Sequence, residues 1–391
     1  KDNSTPPHLL FAAGILFRLI LLFSVPVLSQ DFYRFIWDGR LLLQGYNSYL
    51  HLPSVLLNSP GFHIPGAQEL VNGMGRLSAT HYTNYPPVNQ LCFLLAALLA
   101  GKSIIGSVMV FKVMIIAADI GIFIFGKKLL HALDLQERNI FVYFLNPLVI
   151  IELTGNLHFE GMMIFFLIAS LYFLHRKSYS RSAVLMALSI GVKLVPLMLL
   201  PLLMRNMGSN KLIRFYFITG FILVLFLFPF FSLQFGVNYF NTIALWFVNF
   251  EFNASIYYVI RSIGYEVAGY NIIGTAGKVI PFIMLGMILS FSMRRSNREL
   301  INLIGNMLLA LCVYFFLSTT VHPWYIVSLV ALSMFTGYKF PVVWSVVGML
   351  SYQAYSNPLF KENSLLLLIE YSVVYSCFIF EMVNNHKKAI F

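Results

Sequence analysis

Two carboxylates and two arginines lie close together in Asp31-Phe-Tyr-Arg-Phe-Ile-Trp-Asp-Gly-Arg40, and Gly45-Tyr-Asn-Ser-Tyr49 follows soon after. A positioned carboxylate can take a proton from a hydroxyl nucleophile, and a guanidinium can grip a phosphate through two parallel bonds. Read as a helix opening near Ser29, the stretch puts Asp31, Arg34, Phe35 and Asp38 on one side, with Phe32, Ile36 and Leu43 on the other. That pattern fits a helix lying in a membrane interface, its apolar face in lipid and its charge turned to water. A plain stop-transfer flank is the alternative, although flanks seldom combine so many charges and aromatics. The seven-residue offset separates Asp31 from Asp38 by roughly 10 Å along a helix. One cation with oxygen ligands at about 2.0–2.6 Å cannot span that gap. A metal would therefore have to bridge Asp31 to another segment, with Glu160 or His158 as partners, and no obligatory metal or other cofactor is expected.

Further polar groups recur along the chain. Asn156-Leu-His-Phe-Glu-Gly161 offers an amide, an imidazole (His158) and a carboxylate (Glu160) that could orient an acceptor hydroxyl; a solvated helix cap is the simpler reading. Lys193 interrupts an apolar stretch, where a charge costs about 2.5–3.5 kcal/mol on insertion scales. It marks an anionic ligand unless its ammonium snorkels to the interface. Arg261 follows Phe252-Asn-Ala-Ser-Ile-Tyr-Tyr258, with Trp246, Phe247, Phe250, Tyr257 and Tyr258 as an apolar rim. An interfacial aromatic belt accounts for the rings but not for the arginine. His322-Pro-Trp-Tyr325 pairs a helix-starting proline with His322 and Trp324, which suit either a belt or a substrate site. Arg18 and Asp119 are mid-span charges at matching depth if their spans run antiparallel, which predicts a structural ion pair.

The first-loop residues Asp31 to Arg40, with Gly45-Tyr-Asn-Ser-Tyr49 and Asn84-Tyr-Pro-Pro87, resemble the first luminal loop of GT-C glycosyltransferases. The resemblance is closest to the branch that adds the first mannose to glycosylphosphatidylinositol precursors, together with its bacterial relatives. It implies an integral membrane enzyme with a polyprenyl-phosphate sugar as donor and a lipid or glycan hydroxyl as acceptor. The hexose would be mannose, passing from a β-linked donor to an α-linked product with inversion. By the same resemblance Asp31 is the catalytic base. Arg34, Asp38, Asn156, His158, Glu160, Lys193, Arg261, His322 and Trp324 would bind substrate, with Lys193 and Arg261 at the phosphate. A lipid-sugar flippase is a rival reading, although such folds usually carry repeats with midplane sites, and no repeat is visible. A polysaccharide ligase or polymerase is another, for which a large late loop would be expected.

These residues need a scaffold, and composition defines it. The chain of 391 residues is 59% hydrophobic and only 10% charged, with a mean hydropathy of +0.79. A soluble domain carries about 25% charged residues, so a polytopic all-α membrane protein is expected. About 10–12 transmembrane helices, two of them short half-helices, would form a single membrane-embedded domain over 1–391. Spans are expected near 9–28, 103–126, 138–154, 159–175, 211–231, 271–293, 300–319, 323–338, 341–356 and 364–383. The first is too long for a signal-peptide core and reads as retained. Pro86–Ala100 reads as an interfacial or re-entrant helix. Residues 182–204 would break the charge rule as one span, and are read as two short helices meeting around Gly191–Pro196.

With these spans, Lys127-Lys128, Arg176-Lys177, Arg205 to Arg214, Arg294-Arg295 and Lys387-Lys388 share one side, cytoplasmic by the positive-inside rule. The long loops 29–102 and 232–270 then share the opposite face. Modest length and short loops point to a bacterial inner membrane with a periplasmic site. The net charge of +11 belongs on loops facing anionic lipid and is not a nucleic-acid signal. Cys92, Cys312 and Cys377 sit in apolar runs and suggest neither disulfides nor a metal cluster.

Overall fold

The structure is a computed structural model and describes residues 5–357 and 360–388; the side chains of Trp246, Asn385, His386, Lys387 and Lys388 lie outside the described residues. Among the described residues it is helical throughout, with one isolated bridge between Phe252 and Thr320. The order is α1 Pro7–Leu21, α2 Asp31–Leu43, α3 Pro53–Leu56, α4 Ala67–Ala79, α5 Pro87–Ala100, α6 Ile104–Ala132, α7 Ile140–Phe144 and α8 Pro147–Val149. A π-helical segment Ile150–Gly155 leads to α9 Glu160–His175, α10 Tyr179–Val192 and a 3-10 segment Val195–Arg205. Then come α11 Ser209–Leu227, α12 Leu233–Asn249, α13 Ile256–Ala268, α14 Ile273–Ser292, α15 Leu300–Leu317, α16 Pro323–Ser333, α17 Phe340–Val347, a 3-10 segment Gly348–Ser356 and α18 Ser364–Lys388. Prolines open α1, α3, α5, α16 and α17 in their first turns, where the missing N–H has no helical partner to lose.

The protein is a multi-pass membrane protein. Among the described residues five helices are long and apolar enough to cross a bilayer, beginning at Ile104, Ser209, Ile273, Leu300 and Ser364. A sixth candidate is the bent pair Pro147–Gly155 and Glu160–His175, which turns by 115°. The expected spans near 9–28 and 323–338 are realised as the shorter apolar helices α1 and α16. The expected span 138–154 is not continuous. It breaks at Asn146-Pro147, where the proline disfavours helix in the residue before it and the Asn146 side chain accepts from Leu148 N and Val149 N. Residues 182–204 form two helices as expected. Lys193 lies in extended backbone between them, with φ −146° and ψ 142°.

The chain divides into two compact units: one holds the residues up to Leu129 with Ile150–Leu197 and Ile213–Leu245. The other holds Leu130–Val149, Met198–Leu212 and the chain from Trp246 onward. In the first unit α2 packs on α4 and α5, and α10 lies along α9. The expectation of an interfacial α2 with one face in lipid and one in water is corrected here. Phe32, Phe35, Ile36, Trp37 and Leu41 are buried, and so are Arg34, Asp38 and Arg40, because α4 and α5 cover both faces. Gly39 sets the closeness of that packing, since a Cβ there would sit 2.2 Å from the Phe93 carbonyl oxygen of α5. A backbone oxygen cannot swing away, so Gly39→Ala must force α2 and α5 apart. The expected cost is about 1–3 kcal/mol, read as a lower midpoint of thermal unfolding in detergent; an unchanged midpoint would deny that the two helices are locked at Gly39.

Candidate active site

The motif Asp31 to Arg40 divides its labour. Arg34 Nε donates to Asp38 Oδ1 at 2.8 Å, and its Nη1 donates to the Ser78 and His81 carbonyls at 2.7 and 2.9 Å. Gln90 of α5 donates to Asp38 Oδ2 at 3.0 Å. Arg40 donates to the Pro65 carbonyl, and to that of Lys102 at 3.0 Å. These bonds tie α2 to α4, α5 and the loops around them. Both oxygens of Asp38 are thus taken up inside the protein, and the residue is wholly buried.

Asp31 is placed differently. It opens α2, its backbone N–H donating to Ser29 Oγ at 3.3 Å, where the helix dipole favours a carboxylate. Lys193, Glu160 and the Tyr85 hydroxyl are close enough to act on its carboxyl. Burial pushes the Asp31 carboxyl above its ordinary value; Lys193 and the Tyr85 hydroxyl pull it back, and Glu160 adds to the rise. Tyr85 is itself pushed well above the usual phenol range by its own burial and keeps its proton. Its ring packs edge-on against Phe35 at 4.9 Å, and its carbonyl accepts from Tyr49 OH at 2.6 Å. Tyr85 was not among the residues expected to act, although it stands in Asn84-Tyr-Pro-Pro87.

Glu160 and Lys193 come from helix ends. Glu160 opens α9 just past the 115° bend, and Lys193 caps α10, so the break in each element brings its charge inward. Lys193 Nζ contacts Glu160 Oε1 in an ion pair. Side-chain exposure is 22% at Lys193 and 3% at Glu160. Ser189 Oγ of α10 donates to the Met163 carbonyl at 2.7 Å, which fixes the two helices near these ends. The bend itself passes through Leu157 at φ +63°. The solvated-cap reading of Asn156 to Glu160 is corrected, because Asn156, His158 and Glu160 are all buried. Asn156 Nδ2 donates to Glu152 Oε1 at 3.2 Å, and its Oδ1 accepts from Leu28 N at 3.3 Å, tying the approach to α2 to the bend. His158 Nε2 lies 3.3 Å from Glu152 Oε2. Glu152 is a second residue given no firm role from sequence; its signal was a carboxylate inside an apolar run.

In the second unit, Arg261 Nη1 pairs with Glu251 Oε2, and the guanidinium lies over the Tyr258 ring at 4.1 Å. Tyr257 OH and Asn271 Nδ2 donate to Glu251 Oε1. Burial pushes Glu251 up, but these bonds and Arg261 together outweigh it and hold the carboxyl below its ordinary value. The segment before α13 is pinned by Phe252, whose N–H donates to Thr319 O at 3.0 Å and whose carbonyl accepts from Val321 N at 2.8 Å. That pairing stacks the Phe252 ring on His322 at 4.9 Å, and His322 on Trp324 at 4.2 Å. The structure thus gathers Asp31, Glu160, Lys193 and Tyr85 in one cluster of the first unit, and His322 with Trp324 in a ring stack of the second. Among the described residues no three His, Cys, Asp or Glu side chains converge as metal ligands.

A multi-pass helical protein with a desolvated carboxylate beside a lysine at broken helix ends is the class these features define. The chain matches the MptA_B family, described as Alpha-(1->6)-mannopyranosyltransferase, N-terminal domain, over residues 4–208, just over half its length. It belongs to that family, in keeping with the GT-C resemblance of the first loop. It is also similar to Alpha-(1->6)-mannopyranosyltransferase B of Corynebacterium glutamicum, at 24% identity over 155 residues. The aligned part is 39% of this chain and 24% of that protein, so the chain spans about a quarter of this curated relative's length.

Proposed function

We propose that this protein transfers mannose from a polyprenyl phosphate to a hydroxyl acceptor on the non-cytoplasmic face of a bacterial inner membrane, forming an α-(1→6) link with inversion. The observation that carries the reading is the Asp31 carboxylate held beside Lys193 and Tyr85, within the residues matched to a mannopyranosyltransferase family. In the step, the acceptor oxygen attacks C1 of the mannose and its proton passes to Asp31. The bond from C1 to the phosphate oxygen breaks, and the electron pair leaves on polyprenyl phosphate. Lys193 neutralises the charge developing there, where a fixed cation in a dry site counts most. A β-linked donor gives an α-linked product by single displacement, which agrees with the α in the relative's name. No obligatory metal enters this reading, because Lys193 supplies the positive charge. By the GT-C resemblance Arg261 is also proposed to bind a phosphate, and it must exchange Glu251 to do so.

The test is a mass spectrum of the lipid products after purified protein is incubated with polyprenyl-phosphate mannose and a lipid extract. A product heavier by one hexose supports transfer, whereas movement of labelled donor across liposomes without transfer would favour a flippase. Labelling of Tyr46 from outside, and of Arg205 and Arg295 only from inside, tests the proposed face.

Lys193→Ala should lower kcat or raise the donor KM. It should also move the acid limb of the pH profile upward, because Lys193 holds the Asp31 carboxyl down. Arg261→Ala should weaken the donor step, with Arg261→Lys restoring only part of it because the planar fork is lost. Wild-type kinetics in both alanine variants would take these residues out of the site.

A further inference from the structure

Glu370 lies in the apolar run of α18 and is only 1% exposed. A carboxylate at such a place is costly, and it points to a ligand or partner by default. Its two oxygens are treated unequally. Oε1 accepts twice, from Asn253 Nδ2 at 3.0 Å and from Trp344 Nε1 at 3.1 Å, whereas Oε2 is buried with no hydrogen-bond partner among the described residues. Glu362 stands nearby, accepting from Asn253 N at 2.6 Å and from the Tyr258 hydroxyl. Every donor named here is neutral, so Asn253 bridges two carboxylates that none of them compensates in charge. Between them lies a cavity of about 10 Å³ whose polar lining is Asn253, Ser351, Gln353, Glu362, Asn363 and Glu370. That volume holds about one water-sized sphere.

We propose that this cavity is a binding site for a hard divalent cation, with Ca²⁺ the best match. The polar lining offers oxygen donors and no sulfur or imidazole, and two carboxylates balance a double charge. Ca²⁺ accepts irregular oxygen sets, whereas Mg²⁺ demands near-octahedral geometry and sheds water reluctantly. A proton on Glu370 Oε2 would leave a buried donor as unpartnered as the bare oxygen, so protonation alone does not satisfy the group. The cation would fasten α18 to the segment that carries Asn253. That residue is held at φ +46°, and its carbonyl accepts from Tyr371 OH at 2.5 Å. Because the same segment sets Phe252 against His322, the ion would order the start of α16 and the Glu251–Arg261 pair.

The experiment is thermal unfolding of the full purified chain in detergent with Ca²⁺, Mg²⁺ or Na⁺ at matched ionic strength, against chelator, with Ca²⁺ binding measured directly by calorimetry. Ca²⁺ is expected to raise the wild-type midpoint by several degrees at a hundredfold excess over its Kd. The rise should vanish in Glu370→Gln and shrink in Glu362→Gln. Absence of calorimetric Ca²⁺ binding to the wild type, or an equal rise in Glu370→Gln, overturns the proposal. So does a wild-type midpoint that depends on no cation while Glu370→Gln is more stable, which would assign a bridging water or a neutral carboxyl to the cavity. None of these readouts requires sugar transfer, so failure here and failure of the mannosyltransferase reading are separable.

Discussion

Replacing Asp31 by Asn is expected to lower kcat for sugar transfer by about 10²–10⁴-fold, the usual contribution of a general base, while making the folded protein slightly more stable. Both effects follow from one cause. Burial raises the Asp31 carboxyl above its ordinary value, so the folded protein binds this proton more tightly than the unfolded chain does. Above the folded-state value both states are ionised, and the desolvated carboxylate costs the fold its full penalty. As pH falls through the folded-state value the penalty is relieved, and it is gone below the unfolded-state value. An amide at residue 31 never bears the charge. Asp31→Asn should therefore unfold at a higher midpoint than wild type at neutral pH, with the difference shrinking toward acid. In the wild type, the acid limb of kcat/KM should lie above the ordinary aspartate value of about 3.9, and Tyr85→Phe should raise it further by removing the hydroxyl that pulls the carboxyl down.

Asp38→Asn separates the two carboxylates of the motif. Asp38 is wholly buried and answers Arg34 and Gln90, so its loss should appear as a lower unfolding midpoint. Turnover per folded molecule should be much less affected. Single-turnover transfer by both variants, with donor binding measured alongside, decides the matter. A dead but well-folded Asp38→Asn beside an active Asp31→Asn would reverse the roles assigned to the two residues. If both are dead, the two carboxylates act together.

What could be read from sequence followed the range of the interactions. The place of Asp31 at the opening of α2 was legible, because its position just past the first apolar run and the residues around it are local facts. The commitment of Asp38 was not, since its partners lie on α5 and, through Arg34, on the carbonyls of Ser78 and His81. The half-helices around Lys193 were legible because a single span over 182–204 would break the charge rule. The break at Asn146-Pro147 had only its proline as a signal, and the continuous hydropathy of 138–154 outweighed it. Tyr85 was named only as part of a motif; among 21 tyrosines, local sequence gives no reason to choose the one that reaches Asp31. Arg261 looked like a lone cation because Glu251 sits across a turn rather than at helical spacing.

Asp119→Leu should cost the fold about 3–5 kcal/mol, the usual consequence of removing one partner from a buried ion pair. Arg18 Nε and Asp119 Oδ2 are 2.6 Å apart with no exposure on either side, so the predicted structural pair between α1 and α6 is present. Arg18 also donates to the Gly14 carbonyl at 2.9 Å, a neutral acceptor that does not balance the charge of a guanidinium. The insertion cost of such a charge, about 2.5–3.5 kcal/mol, gives the same order by an independent route. The loss should reach the site through α1. Seven residues before Asp119, on the same face of α6, Lys112 Nζ donates to the Leu21 and Ser24 carbonyls at 2.6 Å each. These two clamps hold the end of α1, from which the chain runs to Asp31. Replacing both partners tests whether the pair contributes stability or only avoids a penalty. Arg18→Met with Asp119→Leu should recover most of the lost stability, and could exceed wild type, since matched apolar pairs often equal or surpass buried ion pairs. The measurement is the midpoint of thermal unfolding for the two single variants and the double variant in the same detergent. Equal midpoints for Asp119→Leu and wild type would mean that the pair carries no load. A double variant as unstable as the sum of its singles would mean that each residue acts through other partners.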